Sequence, residues 1–437
     1  MKGSASVMKN VVIIGCGLAG LGAAWRLEKE GVDPIIFEME SRPGGLCRTE
    51  REGDFFFDYT GHLLHFRNDI FQDLVFSLMG EKLNKRNRSA WIYSKNVYTR
   101  YPFQANLYGL PVDVVVECIY EYSKQYFSGS SGDAASFGDW IEMHFGKGIA
   151  EHFMIPYNSK LYRRHPAEMT PDCTGRFVPS SDLKLLLKGA LSDNSGSLGY
   201  NTEFYYPDKG GIETLVGALC TGKKINLGEK VTRIDTERRK AYTSLGQEVS
   251  FDGIISTQPL PELVVSMGDG GDLRERVSEL KHVSVLNVNV GVRGSLGERH
   301  WVYVPEEEFL FHRIGFTHNF SDHMAPEGCS SVYLEISYDP VMGIDRGATV
   351  ERCIEDMRRM GLISGKDDIE AVNIIDIPYA YVIFDNRRVK ALEHIRGALE
   401  SIGIYSAGRF GSWEYLSMED AFMDGWAAAE KMLKSRG

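Results

Sequence analysis

The most constraining feature of this chain is a short unit near its start. It comprises an apolar run Val11-Val12-Ile13-Ile14, a turn Gly15-Cys16-Gly17-Leu18-Ala19-Gly20, a helical stretch Leu18 to Glu30, and a second apolar run Pro34-Ile35-Ile36-Phe37 ending at Glu38. Both runs are continuously hydrophobic, as strands buried on two faces are, and a helix joins them, so a parallel sheet is expected. In the turn, the first glycine permits the tight bend, the second lets backbone approach a pyrophosphate, and the third packs helix on strand. Glu38 stands at a strand end, where a carboxylate can accept hydrogen bonds from ribose hydroxyls. The reading is an α/β fold with a Rossmann-like dinucleotide-binding domain, held to its ligand by Gly15, Gly17, Leu18, Ala19, Gly20 and Glu38.

Composition narrows the partners. Of 437 residues, 43% are hydrophobic and 25% charged, which is ordinary globular usage and excludes disordered or collagenous classes. The formal net charge of −11 opposes nucleic acid and anionic membrane, so any anionic ligand needs a local basic pocket. No apolar run approaches the ~18 to 20 residues that span a bilayer, and MKGSASVMKN lacks the apolar core of a signal peptide. The residues before Met8 are set aside from the fold argument. Seven cysteines without a CxxC pair argue against a disulfide framework and for a reducing cytoplasm.

The middle of the chain reads as an inserted helical lobe, with helices over Val112 to Tyr126 and Phe137 to Tyr162 around a flexible stretch from Phe127 to Asp133. A Gly/Ser/Asn loop from Ser192 to Gly199 is a candidate flap before Phe204-Tyr205-Tyr206-Pro207. Alternation at Val288, Val290 and Val292, and again at Val332, Leu334, Ile336 and Tyr338, marks an antiparallel sheet. The end returns to a strand (403–406), a Gly408-Arg409 turn and a helix carrying Phe422, Trp426, Met432 and Leu433 as core contacts. Residues 8–100, 201–275 and 401–437 are assigned to the cofactor domain, 101–200 to the helical lobe and 276–400 to an antiparallel substrate domain. His62 and His65 form an HxxH pair, but no third ligand stands at suitable spacing, so no metal is expected.

Arg42-Pro43-Gly44-Gly45-Leu46 resembles the second glycine motif of large FAD-dependent oxidases and mutases, which favours FAD over NAD. Pro207-Asp-Lys-Gly-Gly211, Lys230-Val231 and Gly408-Arg409 resemble further parts of that scaffold. Three blocks then discriminate: Tyr101-Pro-Phe-Gln104-Ala-Asn106, Gly148 through Phe153-Met-Ile-Pro-Tyr157-Asn158-Ser-Lys160, and Gly408-Arg409-Phe-Gly-Ser-Trp413-Glu-Tyr415. Together they resemble the UDP-galactopyranose mutase family, nearest its eukaryotic-type branch, from about Val11 to Leu433.

That resemblance implies a redox-neutral isomerase that interconverts pyranose and furanose forms of a UDP-linked sugar, with a galactofuranosyl group as the family's furanose form. In the family, N5 of reduced flavin attacks the anomeric carbon, UDP leaves, and the ring opens as an iminium before reclosing. It implies a diphosphate clamp at Arg176 and Arg313, phosphate-binding Tyr381 and Tyr415, and Tyr303 and Asn201 beside them. Tyr101, Gln104, Phe153, Tyr157, Asn158 and Tyr162 match the uridine end, and His62 and Arg88 the flavin region. Gly44, Gly45, Leu46, Gly61, Val231, Gly408, Arg409, Ser417 and Met418 complete the implied cofactor set, with NAD(P)H a candidate reductant. The expected partners are a UDP-sugar and, with the subunit count open, further copies of the chain, with no nucleic acid and no membrane. Departures from the family fall at Ile155 for an arginine, Tyr162 for a tryptophan, His65 for an aromatic, and Ser417 or Glu419 for a late asparagine. The alternatives are an FAD-dependent oxidoreductase of the protoporphyrinogen oxidase or amine oxidase type, whose apolar site needs no paired arginines, and a catalytically silent flavoprotein scaffold.

Overall fold

A computed structural model describes residues 10–129, 132–173, 178, 182–193, 202–268 and 270–435. The unit at the start forms as expected: strand Val11–Ile14, helix Leu18–Lys29 and strand Ile35–Phe37. Val11–Ile14 lies at the centre of a five-stranded sheet, all of whose pairings are parallel. Gly253–Ser256 and then Ile404–Ser406 lie on one side of it, and Ile35–Phe37 and then Ile225–Asn226 on the other. Three widely separated stretches of chain therefore build one cofactor sheet. The first helix crosses the last, Met418–Lys434, at glycines: a Cβ on Gly22 would sit 2.0 Å from Phe422 O, and one on Gly425 would sit 1.8 Å from Ala19 O. Side chains at these points would force the helices apart.

The second sheet has seven strands, in the order Ile369–Val382, His282–Arg293, Cys329–Tyr338, Arg313–Phe316, Trp301–Tyr303, Ala90–Ser94, Val97–Arg100. Its alternating strands pair antiparallel over a long register, Ser284 opposite Tyr338 through Arg293 opposite Cys329. The alternation separates two interiors here, not core from water. Leu286, Val288, Val290 and Val292 pack toward the helix Arg346–Arg359. Asn287 and Asn289, fully buried, turn the other way, and Asn287 Nδ2 donates to Asp58 O (3.2 Å) and to Asn289 Oδ1 (3.0 Å). Buried amides of this kind persist only when bonded.

Two expectations differ from the structure. Residues 90–100, assigned with 8–100 to the cofactor domain, instead extend the substrate sheet, because Ala90–Ser94 pairs with Trp301–Tyr303 and satisfies that strand's open edge. The helix expected over Phe137 to Tyr162 is broken into Phe137–Ile149, a π-helical turn Ala150–Met154, and Ile155–Tyr162. Gly146 takes a positive φ of 72°, and a Cβ there would lie 2.5 Å from Glu121 O of the helix Val112–Ser128. Close packing of two helices outweighs helical continuity at that point. The stretch expected to be flexible from Phe127 begins as the end of that helix, and its residues 130 and 131 lie outside the described residues, as do 194–199 of the second loop.

Candidate functional site

A cavity of about 590 Å³ lies where the two sheets meet. Its cofactor half is walled by backbone. Gly15 has φ 95°, and a Cβ there would meet Thr257 Oγ1 at 2.2 Å. Gly20 does not line the cavity; a Cβ on it would stand 2.0 Å from Gly15 O, so its bareness lets the helix sit on the turn. The second glycine motif closes directly on the first: Gly44 N donates to Cys16 O (2.8 Å), and Gly17 and Gly44 form a parallel bridge. Glu38, at its strand end, accepts from Cys16 N (2.7 Å) and Glu40 N (3.0 Å). Leu18, Ala19, Gly45, Leu46, Gly61 and Val231 continue the wall, and Gly408, Arg409, Ser417 and Met418 face them. Ser417 caps the last helix, its Oγ accepting from Asp420 N at 3.2 Å.

The other half is walled by side chains. Arg313 and Glu335 face each other across neighbouring strands, and the Arg313 guanidinium forks onto the carboxylate: Nε to Oε1 at 3.0 Å, and Nη2 to both oxygens at 2.7 Å. Glu335 is fully buried. Burial alone would push its carboxyl up, but Arg313 and His312 overrule this and hold it at about 2. Tyr381 Oη accepts from Arg313 Nη2 and donates to Glu335, both at 3.2 Å. Tyr415 stacks on Tyr381 at 5.8 Å, and the Arg409 guanidinium lies 4.5 Å from the Tyr415 ring centre. Tyr303 packs on Tyr101 at 4.9 Å, and Arg88 lies over Tyr101 at 5.4 Å.

Between the halves stands His62. Burial, reinforced by Arg409, pulls its imidazole down to about 4, so the ring is neutral at physiological pH. His62 Nδ1 and Arg409 Nε are buried without a hydrogen-bond partner among the described residues, and both residues line the cavity. Orphaned polar atoms of this kind, one a guanidinium donor and the other an imidazole nitrogen, beside a cradle of bare glycines, fit a flat heteroaromatic group with ring donors and acceptors. The residues present therefore suit a flavin.

Of the residues implied for the substrate, Tyr101, Tyr303, Arg313, Tyr381 and Tyr415 meet on this wall, together with Arg88 and His65. Gln104, Phe153, Tyr157, Asn158 and Tyr162 do not line it. They lie behind it in the helical lobe, because their apolar surface is better buried against one another: Phe153 stacks on Phe103 (5.1 Å) and Tyr157 (5.6 Å), and Asn158 Nδ2 donates to Met154 O (2.7 Å). Tyr162 packs edge-on to Tyr381. Arg176 and Asn201 lie outside the described residues. His65 Nδ1 contacts Glu203 O at 2.9 Å, and among the described residues no cluster of His, Cys, Asp or Glu could hold a metal. Sequence reading missed Glu335, Thr257 and Trp301. Glu335 sits in an alternating strand whose polar positions look solvent-facing, and only the strand register puts it opposite Arg313.

A model of the flavin containing amine oxidoreductase family matches residues 18–433. The chain belongs to that family. As a flavoprotein of this family it is similar, over 98% of its length and 95% of the other chain, to the crystal structure of a reduced UDP-galactopyranose mutase, with a TM-score of 0.92 and 27% identity. A putative protoporphyrinogen oxidase from Exiguobacterium sp. 255-15 shares the fold at a TM-score of 0.77 and 19% identity, covering 99% of this chain and all of that one. Among curated proteins, L-amino-acid oxidase from Crotalus adamanteus is 33% identical over 94 residues, 21% of this chain and 18% of the oxidase. Mitochondrial protoporphyrinogen oxidase from Nicotiana tabacum is 20% identical over 304 residues, 58% of this chain and 59% of that enzyme. The chain thus matches less than two thirds of the length of these curated relatives. All seven cysteines are free thiols, and among the described residues no helix is long and apolar enough to cross a membrane.

Proposed function

We propose that this flavoprotein is an FAD-dependent isomerase that interconverts the pyranose and furanose forms of a UDP-sugar. The observation that carries the reading is the polar wall of Arg313, Tyr303, Tyr381 and Tyr415, with Arg409 over the Tyr415 ring, which lines one cavity with His62 and the glycine turns. Its similarity to a reduced UDP-galactopyranose mutase supports the same assignment. The glycine turns would hold the cofactor's pyrophosphate, and a reduced flavin so bound would supply a nucleophilic N5 toward an anomeric carbon. The chain's own residues do the rest. Arg313 and the phenol hydroxyls of Tyr303 and Tyr415 hold the departing diphosphate as charge develops on it, while Tyr381, whose one proton goes to Glu335, helps to fix Arg313. Glu335 fixes the orientation of Arg313, so no reorganisation is needed at that moment. His62, neutral, adds no competing cation at the flavin edge.

Dithionite-reduced protein given UDP-galactopyranose is expected to yield UDP-galactofuranose without consuming reductant, as followed by anion-exchange chromatography. No isomerisation of any UDP-hexose, with oxygen uptake by the oxidised protein on an amine or porphyrinogen, would instead establish the oxidoreductase reading. That second reading is favoured by the family match and the Nicotiana relative. Arg176, the resemblance's second clamp, is tested by Arg176→Ala, which should weaken UDP binding about tenfold. On this reading NAD(P)H is a candidate electron source, and the seven free cysteines support a reducing cytoplasm as the compartment.

A further inference from the structure

We infer that Lys160 is a positioning residue that ties the hairpin carrying Tyr303 and Arg313 to the helical lobe, so that both move as one wall of the substrate cavity. Lys160 lies on the helix Ile155–Tyr162 and is 8% exposed. Its ammonium donates to three backbone carbonyls: Val304 O at 2.9 Å, Glu306 O at 2.9 Å and Phe311 O at 2.8 Å. All three belong to the loop between strands Trp301–Tyr303 and Arg313–Phe316. An ammonium has three N–H donors, and here one loop takes them all. Any shift of the hairpin relative to the helix must break charge-assisted bonds in a buried site, where unmet carbonyls and an unmet charge are both costly.

The connection reaches the site within one residue of the loop at each end. Val304 follows Tyr303, and Phe311 is separated from Arg313 only by His312, whose carbonyl accepts from Val304 N at 2.9 Å. Tyr157, one turn before Lys160 on the same helix, meets Tyr303 edge-on at 5.2 Å and 88°. Glu306 Oε1 also accepts from Lys95 N, and Leu310 N donates to Asp356 Oδ2, so the loop's far side is held by the opposite elements. Lys160 supplies the bond from the helical lobe. The charged groups facing it are Glu306, Glu307 and Glu308 of the loop, Asp356 of the helix Arg346–Arg359, and His312. Burial pulls its ammonium down to about 7 against the pull of those carboxylates, so the tether loosens as pH rises above neutrality.

The inference rests on the UDP-sugar reading for its effect on binding, but not for the tether itself, and the test separates the two. In flavin-loaded Lys160→Met, the UDP dissociation constant is expected to rise about tenfold with flavin absorbance unchanged. Hydrogen exchange of residues 301–316 should quicken, and the decline in UDP affinity expected of the wild type between pH 7 and 9 should be absent from the variant. Lys160→Arg, which keeps charge but cannot aim three donors at one point, should fall between, and it decides the matter if Lys160→Met does not retain flavin. Unchanged exchange over 301–316 in the variants overturns the tether. Altered exchange in a protein that never binds UDP keeps the tether and removes the UDP-sugar reading. Unchanged UDP affinity beside altered exchange overturns the positioning role.

Discussion

Along its cofactor half the cavity is walled by main chain, with Gly17, Gly44 and Gly45 approaching one another through bare backbone and Gly15 lying against Thr257, whereas the opposite half is walled by Tyr303, Arg313 and Tyr381 from three different strands. The first kind of wall is intolerant of added atoms and indifferent to charge. The second is intolerant of lost charge, because Glu335 is fully buried and the mostly buried Arg313 is the cation that balances it. A site can thus be rigid for two unrelated reasons within one cavity.

The strongest challenge to this contrast is Arg313→Ala, which strands Glu335 in the interior and should cost about 3–5 kcal/mol in urea denaturation. Adding Glu335→Gln should restore much of that stability while UDP affinity stays low. Recovery of both would show that the arginine only balances charge. Next comes acid. His62 is held neutral with its ionisation at about 4 against an ordinary 6.5, so its contribution is full above pH 6.5 and is lost as pH falls through 4. That loss amounts to roughly 3 kcal/mol. Asp58, which burial raises to about 6 against the bonds from Tyr206 and Thr49, runs the other way, its contribution full below 3.8 and lost as pH rises through 6. Urea midpoints at pH 7, 5 and 4 for wild type and His62→Gln should show a shallower acid slope in the variant, and parallel slopes would contradict the assignment.

Gly20→Ala should lower stability by about 1–3 kcal/mol and strip flavin, read as absorbance near 450 nm per protein. Full flavin content in that variant would mean that the cradle yields more easily than its backbone contacts imply. Smallest is Tyr415→Phe, expected to weaken UDP by about 1 kcal/mol, measured by calorimetry, while flavin content stays constant.

The same contrast explains what could be seen from the chain alone. The cofactor half was legible because its physics is local: a strand, three glycines at fixed offsets and a carboxylate at Glu38 need no distant partner to be recognised. The alternation at Val288, Val290 and Val292, and at Val332 through Tyr338, was visible for the same reason, although the register that pairs these strands was not. The partner of Arg313 was not, since Glu335 becomes its neighbour only through strand register, and its alternating context imitates a wet surface. The fate of 90–100 was hidden too, because which sheet edge a hairpin completes is a long-range matter. Gly146 looked like an ordinary residue within a helix until the neighbouring helix came within 2.5 Å of its missing side chain.

Strand Ile404–Ser406 is one of the two edge strands of the parallel sheet, and the turn after it supplies Gly408 and Arg409 to the cavity. A ribosome must therefore deliver nearly four hundred residues from the first glycine turn onward before a flavin can be gripped from both sides. Colour waits for this segment, and nascent chains that stall before it are expected to remain colourless however well their first strands have formed.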